Sequence, residues 1–216
     1  MNSNSVRKIL IIIVSRIGDT LLTTPAIKSI AEHYKDAKIT ILAHPKRYVI
    51  LQHLPFIYHV GGISKKSAPW KGRFGKEYDL AFVYGHDRNL VLYALRVSKN
   101  TIAFKQKDEK INVKLHRSVE MSGEQSKTSL DSMVALPQAL GIGLMTRRLL
   151  YHVTKGEELS AENKMVTEDL NGKFLVGLQV ASFPTKAYRD WPIEYFLELC
   201  NQISRKEPNA HFLIYG

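Results

Sequence analysis

The fold is decided by the stretch KILIIIVSRIGDT, residues 8–20. Its first half is a continuous apolar run, Ile9–Val14, which is typical of a strand buried on both faces of a parallel sheet. Its second half carries a glycine and an aspartate and leads into an amphipathic stretch. Because Arg16 and Asp19 interrupt the apolar character and no small-residue cleavage site follows, a buried parallel strand is predicted here rather than a signal peptide. The stretch predicts the first strand, loop and helix of an α/β domain.

The same alternation continues along the chain. Strands are predicted over Ile9–Val14, Ile39–Ala43, Leu80–Tyr84, Phe174–Val180 and His211–Tyr215, and Leu149–Val153 is predicted to be extended. Helices are predicted over Thr20–Tyr34, Pro45–Leu54, Arg88–Val97, Ser126–Leu140, Ser160–Leu170 and Pro192–Arg205. Strand, helix and strand in succession imply right-handed crossovers and a parallel sheet of the Rossmann type, with helices on both faces.

Two basic stretches interrupt this alternation, Gly61–Lys76 and Lys99–Arg117. The first is predicted to be a loop, and the second surrounds a short strand, Thr101–Phe104. Each is either a solvated surface or a surface that binds phosphate.

The chain is predicted to hold one domain and part of another. Residues 1–154 form the first domain, the polar stretch 155–172 is the linker, and residues 173–216 open a second domain with a strand, a helix and a strand. The sequence stops at the end of a strand, where a parallel-sheet protein usually places a ligand loop. The second domain is therefore expected to be incomplete.

Composition restricts the class of protein. The 216 residues carry a formal net charge of +11, which favours anionic ligands such as phosphorylated substrates, acidic lipid or nucleic acid. No apolar run reaches the length of a membrane span. The single cysteine, Cys200, cannot form an internal disulfide, which indicates a reducing compartment or at least no dependence on an oxidising one, and it is expected at a buried helix position. The histidines lack metal-ligand spacing, so no metal is expected. A nucleic-acid-binding protein stays an alternative, although no helix-turn-helix, zinc-finger or RNA-recognition signature is present.

The loop after the first strand carries the strongest local signal, Ser15–Thr20. Ligands of parallel sheets bind at the carboxyl ends of strands, where Gly18 would permit a tight turn or close backbone approach. Asp19 could there act as a general base toward a sugar hydroxyl, or it could simply cap the following helix. The loop matches neither the phosphate-binding P-loop nor the dinucleotide fingerprint.

Several segments together resemble the start of the ADP-heptose:lipopolysaccharide heptosyltransferases, glycosyltransferase family 9. The matching segments span the whole chain: Lys8–Ala26, Tyr34, Asp36, Ala37, Ile39–Leu42, His116, Ser118–Glu120, Leu140–Ile142, Val176–Leu178, Ser182–Lys186, Arg189–Pro192, Tyr195, Phe196 and Leu213–Gly216. The resemblance implies a two-domain GT-B architecture, an acceptor-binding first domain and a nucleotide-sugar-binding second domain. It also implies an inverting transfer of heptose, or a related sugar, to the inner core of lipopolysaccharide, with Asp19 as the base.

The resemblance further implies the ligand contacts. A cation just before the Trp-Pro pair holds the donor diphosphate; this is either Lys186 or Arg189, because an insertion at Ala187 and Tyr188 separates the two motifs. Ser182 and Thr185 could donate hydroxyl hydrogen bonds to the phosphates or serve only the turn. The residues expected to contact the acceptor are Arg16, Gly18, Lys65, Lys66, Arg73 and His116, although His116 could also be purely structural.

The partners follow from the same resemblance. The donor is expected to be ADP-heptose, with no further cofactor, and the acceptor a lipopolysaccharide core on lipid A. An acceptor of that kind suggests a peripheral location on the cytoplasmic face of the inner membrane, at an anionic lipid surface. A binding module without catalytic activity is the remaining alternative if the chain ends at Gly216.

Overall fold

A computed structural model describes residues 5–72, 75–120, 129–181, 187–188 and 190–215. The chain divides into two units, Met1–His152 and Val153–Gly216. The roles assigned to the predicted domains, and the predicted linker, stay predictions. Within the described ranges no helix is long and apolar enough to cross a membrane.

The first unit is built on a six-stranded sheet. Its strands are β1 (Lys8–Ile13), β2 (Lys38–Ala43), β3 (His59–Gly62), β4 (Tyr78–Tyr84), β5 (Ser98–Phe104) and β6 (Arg117–Val119). They lie in the order β3-β2-β1-β4-β5-β6, and every neighbouring pair is parallel. The predicted parallel α/β fold is therefore confirmed. Because the chain leaves β1 in one direction and later returns to its other side at β4, the carboxyl ends of β1 and β4 form the switch point where such sheets bind ligands.

Helices cover both faces of this sheet. They are α1 (Ile17–Leu22), α2 (Thr24–His33), α3 (Arg88–Val97), α4 (Glu109–Asn112) and α5 (Ser129–Gln138). Alternate residues of β1 serve the two faces: Ile9, Ile11 and Ile13 belong to the core that includes α2 and α5, and Leu10 and Ile12 to the core that includes α3. All five are at most 1% exposed, which explains why the first strand is one continuous apolar run.

The second unit contains α6 (Lys155–Thr167), β7 (Phe174–Gln179), α7 (Ile193–Lys206) and β8 (Ala210–Tyr215). β7 and β8 pair in parallel with Phe174 opposite Ala210, so the predicted strand, helix and strand are present. A capping box starts α6: Thr154 and Glu157 each bond to the other's backbone amide. Cys200 lies on α7 and is half-buried, not buried as predicted, because α7 has no buried residue.

Several local details differ from the predictions. The predicted helix Pro45–Leu54 is only a 3₁₀ turn, Tyr48–Leu51, because the chain makes i to i+3 hydrogen bonds there before reaching β3. Gly61 and Gly62, predicted as the start of a loop, are the last two residues of β3. Arg117, the last residue of the second basic stretch, is the first residue of β6. Both strands form by pairing with strands that are distant in sequence. Leu149–Val153 joins neither sheet: the Leu150 amide instead donates to the Thr24 hydroxyl at 2.9 Å.

Candidate functional site

A cleft of about 530 Å³ opens at the carboxyl ends of β1, β2 and β3. Three short segments, one after each of these strands, converge there, as parallel topology requires. The lining residues are Val14, Ser15, Arg16, Asp19, His44, Arg47, Ser64, Lys65 and Lys66. Of the predicted site residues, Arg16, Asp19, Lys65 and Lys66 are thus brought together.

Asp19 is the acidic residue of this cleft. It is the third residue of α1, whose N-cap is Arg16, so the alternative that Asp19 caps the helix is wrong. Its Oδ2 accepts a hydrogen bond from the Ser15 hydroxyl at 2.6 Å. Within the described part of the chain no hydrogen bond reaches Oδ1. Asp19 is half-buried, so one oxygen is oriented by the protein and the other can accept a proton from a ligand.

Buried threonines fix the helix that carries Asp19. The hydroxyls of Thr20 and Thr23 donate to the backbone carbonyls of Arg16 and Asp19, at 2.8 Å in each case. The Thr24 hydroxyl donates to the Leu21 carbonyl at 2.7 Å. All three threonines are at most 1% exposed. These hydrogen bonds stabilise the junction of α1 and α2, the segment on which Asp19 lies.

Gly18 is not required by the backbone. It is the second residue of α1, and its φ lies outside the left-handed region. A Cβ built there would meet nothing within 4 Å. The predicted tight turn at Gly18 is therefore wrong, because the helix begins one residue earlier. A ligand approaching the exposed face of α1 stays a prediction for this glycine.

Four cationic residues line the same cleft as Asp19. Arg47 donates from Nη1 to the Ser15 carbonyl at 2.8 Å, which ties the loop after β2 to the loop after β1. Lys65 lies 3.5 Å from Asp87 Oδ2, and its carbonyl accepts from Asn89 Nδ2 at 3.2 Å. In the described ranges Lys66 has no ion pair or hydrogen bond. Arg16, Arg47, Lys65 and Lys66 against the one carboxylate of Asp19 give the lining a formal charge of +3, which favours anionic ligands.

Sequence reasoning missed Arg47 and His44. Arg47 was placed inside a predicted helix, and His44 was considered only as a metal ligand. Both residues follow β2 within four positions. The rule that neighbouring parallel strands end at one edge could have found them, because β2 was predicted to lie next to β1 in sequence order.

His116 lies apart from this cleft. It precedes β6, and its amide donates to the Thr101 carbonyl in the middle of β5 at 2.8 Å. Burial, and to a smaller degree Arg117, lowers the pKa of its imidazole. His116 is not among the residues that line the cleft of Asp19. Its role toward the acceptor stays a prediction.

Five predicted contacts lie outside the described residues: Arg73, Ser182, Thr185, Lys186 and Arg189. Their roles stay predictions. Among the described residues no group of three or more histidine, cysteine, aspartate or glutamate side chains could hold a metal ion.

The second basic stretch forms a smaller cleft of about 290 Å³ beyond β4 and β5. Its cations are largely matched by acids. Arg88 lies 3.7 Å from Asp108, and Lys105 lies 2.6 Å from Glu120. This cleft is therefore less suited to an anion than the cleft of Asp19.

Solved structures with a similar fold are glycosyltransferases. A glycosyl transferase family 9 protein from Veillonella parvula matches with a TM-score of 0.82 and 15% identity, over 97% of this chain and 62% of its own. E. coli ADP-heptose lps heptosyltransferase II matches with a TM-score of 0.73 and 19% identity, over 97% and 64%. E. coli heptosyltransferase WaaC with ADP matches with a TM-score of 0.67 and 15% identity, over 97% and 66%.

These similarities confirm the GT-B-like fold and the resemblance to glycosyltransferase family 9 at the level of structure. The chain spans about two thirds or less of the length of these proteins. No family model matches the sequence, and no curated protein matches it.

Proposed function

We propose that this chain forms the acceptor side of an inverting glycosyltransferase and supplies its general base, Asp19. The transferred sugar is heptose or a related sugar, the donor is a nucleotide sugar such as ADP-heptose, and the acceptor is the inner core of lipopolysaccharide. The observation that carries the proposal is the half-buried carboxylate at the ligand-binding edge of the sheet, with one oxygen held by Ser15 and the other without a partner in the described ranges. The fold shared with the family 9 structures supports it.

The chemistry needs one base and one leaving group. An acceptor hydroxyl oxygen attacks the anomeric carbon from the side opposite the nucleotide and forms the new glycosidic bond. The bond from that carbon to the diphosphate oxygen breaks, and the nucleoside diphosphate leaves with the electron pair. Asp19 takes the hydroxyl proton during the attack, a contribution typically worth about 10²–10⁴ in rate.

The cations of the cleft suit an anionic acceptor. The lipopolysaccharide core carries phosphates and carboxylates, and the cleft lining has a formal charge of +3. Arg47 is fixed by its bond to the Ser15 carbonyl, whereas Lys66 is held by nothing in the described ranges. We therefore propose that Arg47 stabilises the conformation of the site, and that Arg16, Lys65 and Lys66 contact the acceptor.

The donor is assigned to the second unit. Lys186 or Arg189 would neutralise the leaving diphosphate, a role that either cation fills electrostatically, with Ser182 and Thr185 as hydroxyl donors. A peripheral location on the cytoplasmic face of the inner membrane follows from the acceptor. Vesicles with anionic lipid should bind the protein at low salt and release it at high salt, and no binding at low salt would remove the membrane part of the proposal.

A binding experiment tests the class of protein. The full protein is titrated calorimetrically with ADP-heptose, with ADP and with random-sequence duplex DNA. Saturable binding of both nucleotides, with only weak and salt-dependent binding of DNA, is the expected result. Tight DNA binding with no nucleotide-sugar binding would instead favour the nucleic-acid alternative.

A pair of variants tests the acceptor surface. Lys66→Ala should weaken binding of a phosphorylated core oligosaccharide about threefold to tenfold, with the donor affinity unchanged. Lys35→Ala is the matched control, because Lys35 precedes β2 and lies at the opposite edge of the sheet. If both variants lose the same affinity for the oligosaccharide, the effect comes from the net charge of the protein, and Lys66 is not part of an acceptor site.

A further inference from the structure

The positive charge of the protein is concentrated in one stretch, residues 37–76. This stretch holds eight lysines and arginines and no aspartate or glutamate, so it supplies +8 of the formal net charge of +11. It forms β2, β3 and the segments that follow them, and β3 is the outer strand of the sheet. Within the described ranges its one ion pair joins Lys65 to Asp87. The β3 side of the first unit is therefore strongly cationic.

The segment after β3 displays a large aromatic side chain within this stretch. Trp70 ends a short 3₁₀ turn, Ala68–Trp70, and is 73% exposed. Lys66 and Lys71 lie on either side of it in sequence, and both are exposed. Tryptophan has an apolar body and a polar N–H, and it is enriched where proteins meet the interface of a lipid bilayer. Lysines beside it add attraction to anionic lipid.

The turn that carries Trp70 is fixed to the body of the first unit. Arg96 Nη2 donates to the Ala68 carbonyl at 2.7 Å and to the Lys71 carbonyl at 3.1 Å. One guanidinium of α3 thus holds the backbone on both sides of Trp70. Ala68 is fully buried, and Lys71 Nζ donates to the Gly62 carbonyl at 3.3 Å. The indole is displayed on an ordered backbone, so binding through it needs little further ordering.

This turn lies close to the cationic cleft. Lys66 lines the cleft, and the four residues from Lys66 to Trp70 can span at most about 14 Å. Trp70 does not line the cleft itself. A bilayer that contacts Trp70 is therefore close to the opening through which a lipid-linked acceptor would enter.

We propose that Trp70 and the cationic stretch around it form a surface that binds a lipid bilayer containing anionic lipid. The indole enters the interface between headgroups and acyl chains, and the lysines attract the lipid phosphates. The inference rests on the proposed function, in which lipid A anchors the acceptor in that bilayer. Contact through Trp70 then keeps the cleft of Asp19 at the membrane surface that carries the acceptor.

Fluorescence of Trp70 tests the contact. Trp191→Phe leaves Trp70 as the one tryptophan of this sequence, and the full protein carrying this change is mixed at low salt with vesicles of phosphatidylcholine and phosphatidylglycerol. The emission should shift to shorter wavelength, and lipids brominated on their acyl chains should quench it. Vesicles of phosphatidylcholine alone should bind at least about fivefold more weakly, the contribution of one lysine near an anionic surface.

Two fluorescence results would overturn the proposal. Vesicle binding without quenching of Trp70 would mean that another surface contacts the bilayer. Equal affinity for neutral and anionic vesicles would mean that the cationic stretch contributes nothing.

A pair of variants tests the side chain. Trp70→Ala should lower the affinity for anionic vesicles about tenfold, because apolar area no longer leaves water on binding. Its melting temperature should stay close to that of wild type, since the side chain is exposed. Tyr58→Ala is the matched control: Tyr58 is 66% exposed but precedes β3, at the amino end of the sheet. Equal losses in the two variants, or a loss below twofold in Trp70→Ala, would contradict the assignment of Trp70.

A soluble acceptor separates failure of this surface from failure of the proposed function. Trp70→Ala should transfer sugar to a deacylated core oligosaccharide at the wild-type rate and lose rate with the acceptor embedded in vesicles. Equal loss with both acceptors would place Trp70 in the acceptor site and overturn the membrane contact. Transfer to the soluble acceptor by a wild-type protein that binds no vesicles would reject the surface and keep the reaction. Quenching of Trp70 by vesicles in a protein without transferase activity would keep the surface and reject the reaction.

Discussion

Two glycine-to-alanine changes are expected to have opposite effects on stability. At Gly18 the backbone is helical, and a Cβ would meet nothing within 4 Å. At Gly72 φ is +70°, and a Cβ would lie 2.3 Å from Val97 Cγ1 and 2.9 Å from Tyr93 Cε2. The first site accepts a side chain without strain, and the second does not.

The magnitudes follow from the geometry. Gly18→Ala should stabilise the protein by about 0.5–1 kcal/mol, the difference between alanine and glycine in a helix. Gly72→Ala should destabilise it by about 2–6 kcal/mol, because left-handed strain costs about 1–3 kcal/mol and overpacking against Val97 costs about 1–3 kcal/mol more. For a unit of this size about 2–4 °C of melting temperature corresponds to 1 kcal/mol.

Urea denaturation followed by circular dichroism, with thermal melts beside it, measures both changes. The expected result is a rise of about 1–4 °C for Gly18→Ala and a fall of at least about 4 °C for Gly72→Ala. If the acceptor approaches α1 closely, Gly18→Ala should at the same time reduce transfer, so stability and activity would move in opposite directions. A destabilised Gly18→Ala, or a Gly72→Ala as stable as wild type, would refute the reasoning.

Three further predictions concern groups around the sheet. Asp79 accepts hydrogen bonds from Lys99 and from the Arg7 and Lys8 amides, and the bond from Lys99 is the main cause that lowers the pKa of its carboxyl. The stability that Asp79 contributes should therefore be present above about pH 4 and be lost as the pH falls through the lowered pKa. In urea denaturation the difference in unfolding free energy between wild type and Asp79→Asn should shrink from pH 7 to pH 3, and a difference that grows would contradict this. Asp87→Ala removes the cap that accepts from two amides of α3 and should cost about 0.5–2 kcal/mol in chemical denaturation, whereas a loss below that range would mean that the cap is replaced. Thr24→Val leaves the Leu150 amide without its acceptor and should cost about 1–3 kcal/mol, with faster hydrogen exchange at Leu150; unchanged exchange would refute the contact.

The sequence predicted elements whose pattern is local. β1 and β4 are continuous apolar runs buried on both faces, and α3 was predicted at its observed bounds, Arg88–Val97, because its amphipathic pattern is local. In contrast, β3 contains Gly61 and Gly62 and exists through its pairing with β2, which no local pattern encodes.

The site was predictable in part. Asp19 was recognised because it follows the first strand, and Lys65 and Lys66 because they lie in a basic stretch; the structure brings all three into one cleft. Arg47 was missed because a helix was predicted where the chain makes a 3₁₀ turn. The buried Tyr84 hydroxyl was not predicted, because Tyr84 belongs to the apolar run of β4, and only the folded packing leaves its hydroxyl without a hydrogen-bond partner among the described residues.

The most direct test of the account is the rate of sugar transfer by Asp19→Asn. The full protein is given saturating ADP-heptose and a lipopolysaccharide-core acceptor, and wild type is compared with Asp19→Asn and with Asp36→Asn, an exposed aspartate that precedes β2 at the opposite edge of the sheet. Asp19→Asn should lower kcat by about 10²–10⁴ while nucleotide-sugar binding is retained, and Asp36→Asn should behave as wild type. Transfer by Asp19→Asn at the wild-type rate would contradict the assignment of Asp19 as the base.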